Sequence, residues 1–235
     1  MRIAILGAMP EEIEPILEKL DDILRVDYAN NTYYKAKYKG VELVVAYSKI
    51  GCVFSTLTAT ILIEHFKCDM LLFSGVAGAL NDSFEIGDLI YATKLCKHDL
   101  DITAFGHPLG FVPEGKIFVY ADDNLIKIAK EVAKEKGTQL KSAIIATGDQ
   151  FISSNEKKEQ IRKNFGADAI EMEGYSVALV CDALNVPFFI LRAISDSANM
   201  DASFDFDTFL EKSAKISADF VLEMVDKLAN SANKE

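Results

Sequence analysis

Short apolar runs, too brief to be helices, alternate along this chain with longer helical patterns, and that alternation constrains the fold more than any other feature. "RIAILGAM" (residues 2–9) is an apolar run interrupted by Gly7. The helix-like "EEIEPILEKL" follows, with acids in the first turn, where the helix dipole favours them. Pro15 suits the early part of that helix better than its interior. "TYYKAKYKGVELVVAYSKI" reads as a hairpin turning near Lys39-Gly40. "MLLFSGVAGAL", "DLIYATKLCKH", "SAIIATGDQFI", "AIEME" and "PFFILRAISD" read as further strands. Between them, "DDNLIKIAKEVAKEKG" is an amphipathic helix with Gly137 as its C-cap, "NEKKEQIRKNF" a polar-faced one, and "YSVALVCDALNV" an apolar one. "VFSTLTATILIEHF" is helical and apolar on every side, and "FDTFLEKSAKISADFVLEMVDKLA" is a long closing helix. Strands alternating with helices argue an α/β fold, with a mostly parallel sheet covered on both faces. The hairpin makes the sheet mixed. No linker or repeat divides the chain, so residues 1–235 are expected to form one domain.

Composition narrows the function. Half of the 235 residues are hydrophobic, enough for a core without metal or disulfide staples. With 25 basic and 36 acidic residues and a net charge of −11, the chain is poorly suited to phosphate backbones, and nucleic acid is not expected as a partner. Cys52, Cys68, Cys96 and Cys181 show no C-x-x-C spacing and read as core residues of a reduced, cytoplasmic protein. No run is long enough to span a membrane, and the apolar run at the N-terminus is too short for a signal peptide.

In such a sheet, ligands bind outside the carboxyl ends of the strands. Those ends carry Met9, Glu11 and Glu12; Gly75, Ala77 and Gly78; Phe151 and Ile152; Glu171, Met172 and Glu173; and Ser195 and Asp196. Each has an ordinary structural use. Glu12 and Glu173 can complement helix N-termini, Asp196 can cap or turn, the glycines can turn the chain, and Phe151 can be core. His65, His98 and His107 are scattered, and no metal centre is expected. The clustering of acids at successive strand ends is what favours a site. A dinucleotide module is disfavoured, because "ILGAMPEE" offers one glycine and then acids that would repel a pyrophosphate. A non-enzymatic binding protein stays open. Converging carboxylates suit acid–base chemistry on a neutral or cationic group, of which glycosidic cleavage is one case.

"GAMPEEI", "SGVAG", "DITAFG", "TGDQFI", "IEMEG", "RAISD" and "FDTFL" occur in an order that resembles the 5′-methylthioadenosine/S-adenosylhomocysteine nucleosidases of the purine nucleoside phosphorylase and uridine phosphorylase superfamily. The resemblance runs from Gly7 to about Phe209. It implies a three-layer α/β/α sandwich around the mixed sheet. It also implies hydrolysis of the adenine–ribose bond to adenine and a thioribose product, in methionine salvage and S-adenosylmethionine by-product recycling, with no cofactor.

By that resemblance, Asp196 donates a proton to adenine N7 and Ser195 fixes its carboxyl. Such a donor must stay protonated near neutral pH, so its site is expected to raise its pKa. Glu12 takes a proton from the attacking water. Glu173 binds the ribose hydroxyls, and its charge favours an oxocarbenium-like transition state. Met172 packs against the sugar, Met9 is a further substrate contact, Phe151 stacks on adenine, the Ile152 backbone bonds its edge, and Ala77 and Gly78 let backbone approach. Ile50 and Phe206 line a 5′ pocket, closed by Ile102, Phe105 and Pro113 of a neighbouring subunit in a homodimer. Glu171 acquires no role beyond helix-end electrostatics.

The competing reaction is phosphorolysis. The loop "AMPEE" is acidic and lacks the arginine that the superfamily's phosphorylases carry there, which favours water over phosphate. Arg192 alone keeps a phosphate-like site in view. "FGHPLGFVPEG" follows the family pattern only at its start, with His107-Pro108 a departure. That leaves the 5′ group open among methylthio, homocysteinyl, unsubstituted 5′-deoxy and aminofutalosine.

Overall fold

The structure, a computed structural model, describes residues 1–196 and 202–232. Its elements are β1 (Arg2–Gly7), α1 (Pro10–Leu17), β2 (Leu24–Tyr28), β3 (Asn31–Tyr38), β4 (Val41–Tyr47), α2 (Cys52–Glu64), β5 (Met70–Ala79), β6 (Leu89–Lys97), β7 (Phe118–Tyr120), α3 (Asp123–Lys136), β8 (Leu140–Thr147), α4 (Asn155–Phe165), β9 (Ala169–Glu171), α5 (Gly174–Leu184), β10 (Phe188–Asp196) and α6 (Ala202–Ala232). Local signals set several boundaries. Asp122 accepts the Leu125 N–H at the start of α3, and Gly137 ends that helix in the left-handed region at φ 66°. Ser154 and Gly166 do the same for α4. Pro15 departs from expectation: it lies inside α1, near its end, and the helix stops two residues later.

One mixed sheet runs β10-β6-β8-β9-β5-β1-β4-β3-β2, with β7 on β6. The β3–β4 hairpin is antiparallel and turns through Lys39 and Gly40, both at positive φ, as the sequence suggests. The β1–β4, β1–β5, β5–β10, β6–β8 and β8–β9 ladders are parallel. Because β10 pairs with β5 as well as β6, the sheet curls until β5, β10, β6, β8 and β9 form a closed ring.

Helices cover both faces. Ile13 and Ile16 of α1, Leu125 and Val132 of α3, and Val221 and Val225 of α6 share one core with Ile3, Ile5 and Leu72. Ala59 and Leu62 of α2 and Val177 and Ala178 of α5 share the other with Leu71, Phe73 and Ile190. Each fully buried Leu, Ile or Phe contributes about 1.5–3 kcal/mol relative to exposure. The four cysteines are buried free thiols. Among the described residues, no helix is long and apolar enough to cross a membrane.

Candidate active site

The ring brings strand ends together. β1, β4, β5 and β10 run one way, while β6, β8 and β9 run the other. The end of β5 meets β9 at Gly78↔Ile170 and Ala79↔Ala169. Around this seam lies a cavity of about 310 Å³. It is lined by Met9, Glu12, Ile50, Ala77, Gly78, Phe151, Ile152, Met172, Glu173, Ser195, Asp196 and Phe206, every residue that the sequence assigns to this subunit's site. Ala8, Val76, Gln150, Ile170 and Glu171 complete the wall. Ile102, Phe105 and Pro113 do not line it; Phe105 is 80% exposed.

Glu12, in the first turn of α1, is almost fully buried. Its Oε2 accepts the N–H groups of Ala8 and Met9, and its Oε1 accepts that of Val76 at 3.0 Å. The carboxylate therefore satisfies a helix N-terminus and also reaches across to β5. Burial raises its pKa, against the Arg192 charge and the three N–H groups. A Cβ on Gly75 would sit 2.7 Å from Glu12 Oε1, so only glycine lets the carboxylate lie against β5. Gly75 and Gly78 thus lie within the strand and give close approach; they do not turn the chain.

Asp196 is aimed by an irregularity. The β10–β5 register pairs Ile194 with Ala77 and Asp196 with Gly78, so Ser195 is an extra residue, a β-bulge. A bulge redirects the side chain that follows it. Asp196 then lies against Gly78, where a Cβ would come within 2.6 Å of its Oδ2. Ser195 Oγ donates to Asp196 Oδ1 at 2.9 Å.

The acids of "EME" divide their work. Glu171, at the end of β9, accepts the N–H groups of Gly174 at 2.7 Å and Glu173 at 3.2 Å, and the hydroxyl of Thr147. It also accepts Nη2–H of Arg192 at 2.9 Å, both side chains being almost fully buried. Glu171 therefore caps α5. Glu173, the residue positioned for that task, makes no side-chain cap. Its Oε1 accepts the N–H of Gly51 at 2.7 Å. Burial first, then the Glu171 charge, push its pKa up to about 8; the Gly51 N–H and Arg192 oppose this.

Arg192 is absent from the cavity wall. It is 1% exposed, pairs with Glu171, donates to the carbonyls of Phe73 and Leu191, and stacks on Phe73. The phosphate-like site that Arg192 kept in view from the sequence is closed by this pairing.

Phe151, half exposed, meets Phe206 edge-on at 5.7 Å. Between these rings and the acids, the wall is mainly apolar, which strengthens charge interactions inside it. Among the described residues, no cluster of three or more His, Cys, Asp or Glu is placed to hold a metal. Sequence reasoning missed the bulge and the Glu171–Arg192 pair; only Glu171's odd position between apolar segments hinted at a buried partner.

A family model described as the phosphorylase superfamily matches residues 2–226. The aminodeoxyfutalosine nucleosidase of Campylobacter jejuni subsp. jejuni is 64% identical over 228 residues, covering 97% of this chain and 100% of that protein. The crystal structure of a Campylobacter jejuni 5′-methylthioadenosine/S-adenosyl homocysteine nucleosidase superposes with a TM-score of 0.93 at 63% identity, over 97% of this chain and 99% of that one. An aspartate-to-asparagine mutant of the Helicobacter pylori counterpart, solved with 5′-methylthioadenosine in its active site, superposes with a TM-score of 0.94 at 49% identity, over 96% and 98%. The match over almost the whole chain, with relatives at this identity named as nucleosidases, settles the classification: the chain belongs to the phosphorylase superfamily, as a nucleosidase that hydrolyses N-glycosidic bonds.

Proposed function

We propose that this chain cleaves 5′-substituted adenosines, 5′-methylthioadenosine and S-adenosylhomocysteine among them, to adenine and the corresponding thioribose. The observation that carries the reading is the convergence of Glu12, Glu173 and Asp196 on one mainly apolar cavity, with Arg192 outside its wall and paired to Glu171. Asp196 protonates adenine N7 as the bond from the anomeric carbon to the base breaks. The electron pair leaves with the base. Glu173 accepts hydrogen bonds from the ribose hydroxyls, and its ionised form, which the Gly51 N–H favours against burial, stabilises the oxocarbenium-like sugar. Water adds to the anomeric carbon and gives its proton to Glu12, whose raised pKa makes it a stronger base than an exposed carboxylate. Phe151 stacks on the base, the Ile152 backbone bonds its edge, and Met172 packs on the sugar.

The 5′ group faces Ile50 and Phe206. The Campylobacter relative named for aminodeoxyfutalosine extends the proposed range to that larger substituent. Ile102, Phe105 and Pro113 of a partner subunit complete the pocket in a homodimer. Support comes from α2, whose Val53, Phe54 and Leu57 are 77%, 46% and 46% exposed among the described residues.

The test is adenine release from 5′-methylthioadenosine, S-adenosylhomocysteine, 5′-deoxyadenosine and aminodeoxyfutalosine, with and without phosphate. Cleavage in phosphate-free buffer is expected. A strict phosphate requirement, with a sugar 1-phosphate as product, would overturn the reading.

A further inference from the structure

Two successive N–H groups at the start of α2 serve two different carboxylates. Gly51 donates to Glu173 Oε1 at 2.7 Å, and Cys52 donates to Asp149 Oδ1 at 2.7 Å. Gly51 takes φ 100°, a conformation in which a side chain is strained, and a Cβ there would lie 3.0 Å from Asp149 Oδ1. Asp149 is itself anchored. Its N–H is held by Asp99 Oδ2 at 2.8 Å, and its Oδ2 lies 3.7 Å from Lys97 Nζ, which also pairs with Asp99. It begins the segment that carries Gln150, Phe151 and Ile152 into the cavity wall.

We propose that Asp149 is a positioning residue that ties the Phe151 loop to the start of α2 and so holds the Gly51 N–H on Glu173. Resting on the assignment of Glu173 to the ribose hydroxyls, the inference adds what fixes that carboxylate and how the two ends of the site are joined. An N–H donor stabilises the charged form of a carboxylate, so loosening Gly51 raises the Glu173 pKa. The charges facing Glu173 are Glu171, Glu12 and Arg192; those facing Asp149 are Lys97 and Asp99. Removing the Asp149 charge by itself acts in the opposite direction, because it removes a distant negative charge. The two effects are therefore separable by sign.

The experiment is the pH dependence of kcat/KM for adenine release in wild type, Asp149→Asn, Asp149→Ala and Glu173→Gln. Asn retains an oxygen acceptor for Cys52, whereas Ala does not. In Asp149→Ala the acidic limb is expected to move up by about one pH unit, a roughly tenfold loss below it. In Asp149→Asn the limb stays or moves down. If Asp149→Ala fails to fold, Asp99→Ala, which releases the Asp149 N–H, should move the limb up by a smaller amount. A limb that stays in place or falls in the Ala variant overturns the inference, even if the rate drops, since loss of folded protein lowers the profile without shifting it. Glu173→Gln separates the two failures. If the limb survives there at its wild-type position, the Glu173 assignment is wrong; if it vanishes there and is unmoved by the Ala variant, only the role of Asp149 is wrong.

Discussion

Arg192 Nη2 lies 2.9 Å from Glu171 Oε2, an almost fully buried ion pair with the arginine behind the cavity wall and the glutamate in it. The pair engages an arginine in the middle of β10 that could otherwise hold a phosphate, and explains why the acid between two apolar segments of the sequence can be buried. Glu171 also caps α5, so Glu173, two residues on, is released from helix duty and turns to Gly51.

Breaking that pair should be costly. Arg192→Met leaves the Glu171 carboxylate buried and partly unpaired, and about 3–5 kcal/mol of stability should be lost. Arg192→Met with Glu171→Gln should recover part of it, because no buried charge remains. Denaturant titration of the three proteins checks this; a single mutant as stable as wild type would show the pair to be energetically idle.

Glu173 links stability to pH, with a sign opposite to that of an exposed salt-bridged acid. Its folded pKa of about 8 lies above the 4.5 of an ordinary glutamate, which stands for the unfolded chain. Between those values the unfolded chain gives up a proton that the folded chain keeps, so stability falls as pH rises through the window and levels off above it. Glu173→Gln never ionises. It should match wild type near about pH 4 and become progressively more stable up to about pH 9 while losing activity. Thermal melts across pH provide the measurement, and a constant difference at every pH would reject the linkage.

Asp196→Asn keeps the shape and polarity of the side chain beside Gly78 but removes the acid. Turnover should fall by roughly two to four orders of magnitude with nucleoside binding retained. Glu12→Gln should likewise spare binding and slow water attack. Single-turnover kinetics alongside calorimetric binding distinguish the steps, and wild-type turnover in either variant would remove its assignment.

How far the sequence could be read depends on range. Apolar runs, the turn at Lys39-Gly40 and the cap at Gly137 are local, and the structure repeats them. The cavity residues were legible because acids and small residues recur at successive strand ends and match family motifs. β2 was missed although "LRVDY" alternates apolar and charged residues, because the run is only five residues long and mostly exposed, and β7 is only three residues long. The Ser195 bulge, the closure of the ring and the Glu171–Arg192 pair depend on residues distant in sequence, which periodicity does not report. For α2, composition suggested burial on every side, yet within the chain only Cys52, Ser55, Thr58, Ala59, Ile61, Leu62 and Ile63 of the helix are buried.

The remaining face of α2 gives the last prediction. Val53, Phe54 and Leu57 leave an apolar strip in solvent, on the helix whose first residues hold Glu173 and Asp149. If a second copy covers that strip, assembly and activity are coupled, since disturbing α2 disturbs Gly51 and with it Glu173. The interface should then be apolar and of the larger size class. Leu57→Glu should weaken association by roughly tenfold or more and lower activity in parallel with the loss of dimer. Ile61 is unsuitable for this test: at 8% exposure it faces the chain's own core, and a charge there tests folding instead. Sedimentation at nanomolar concentration decides the matter, since a wild-type monomer with full activity would defeat a pocket completed by the partner subunit.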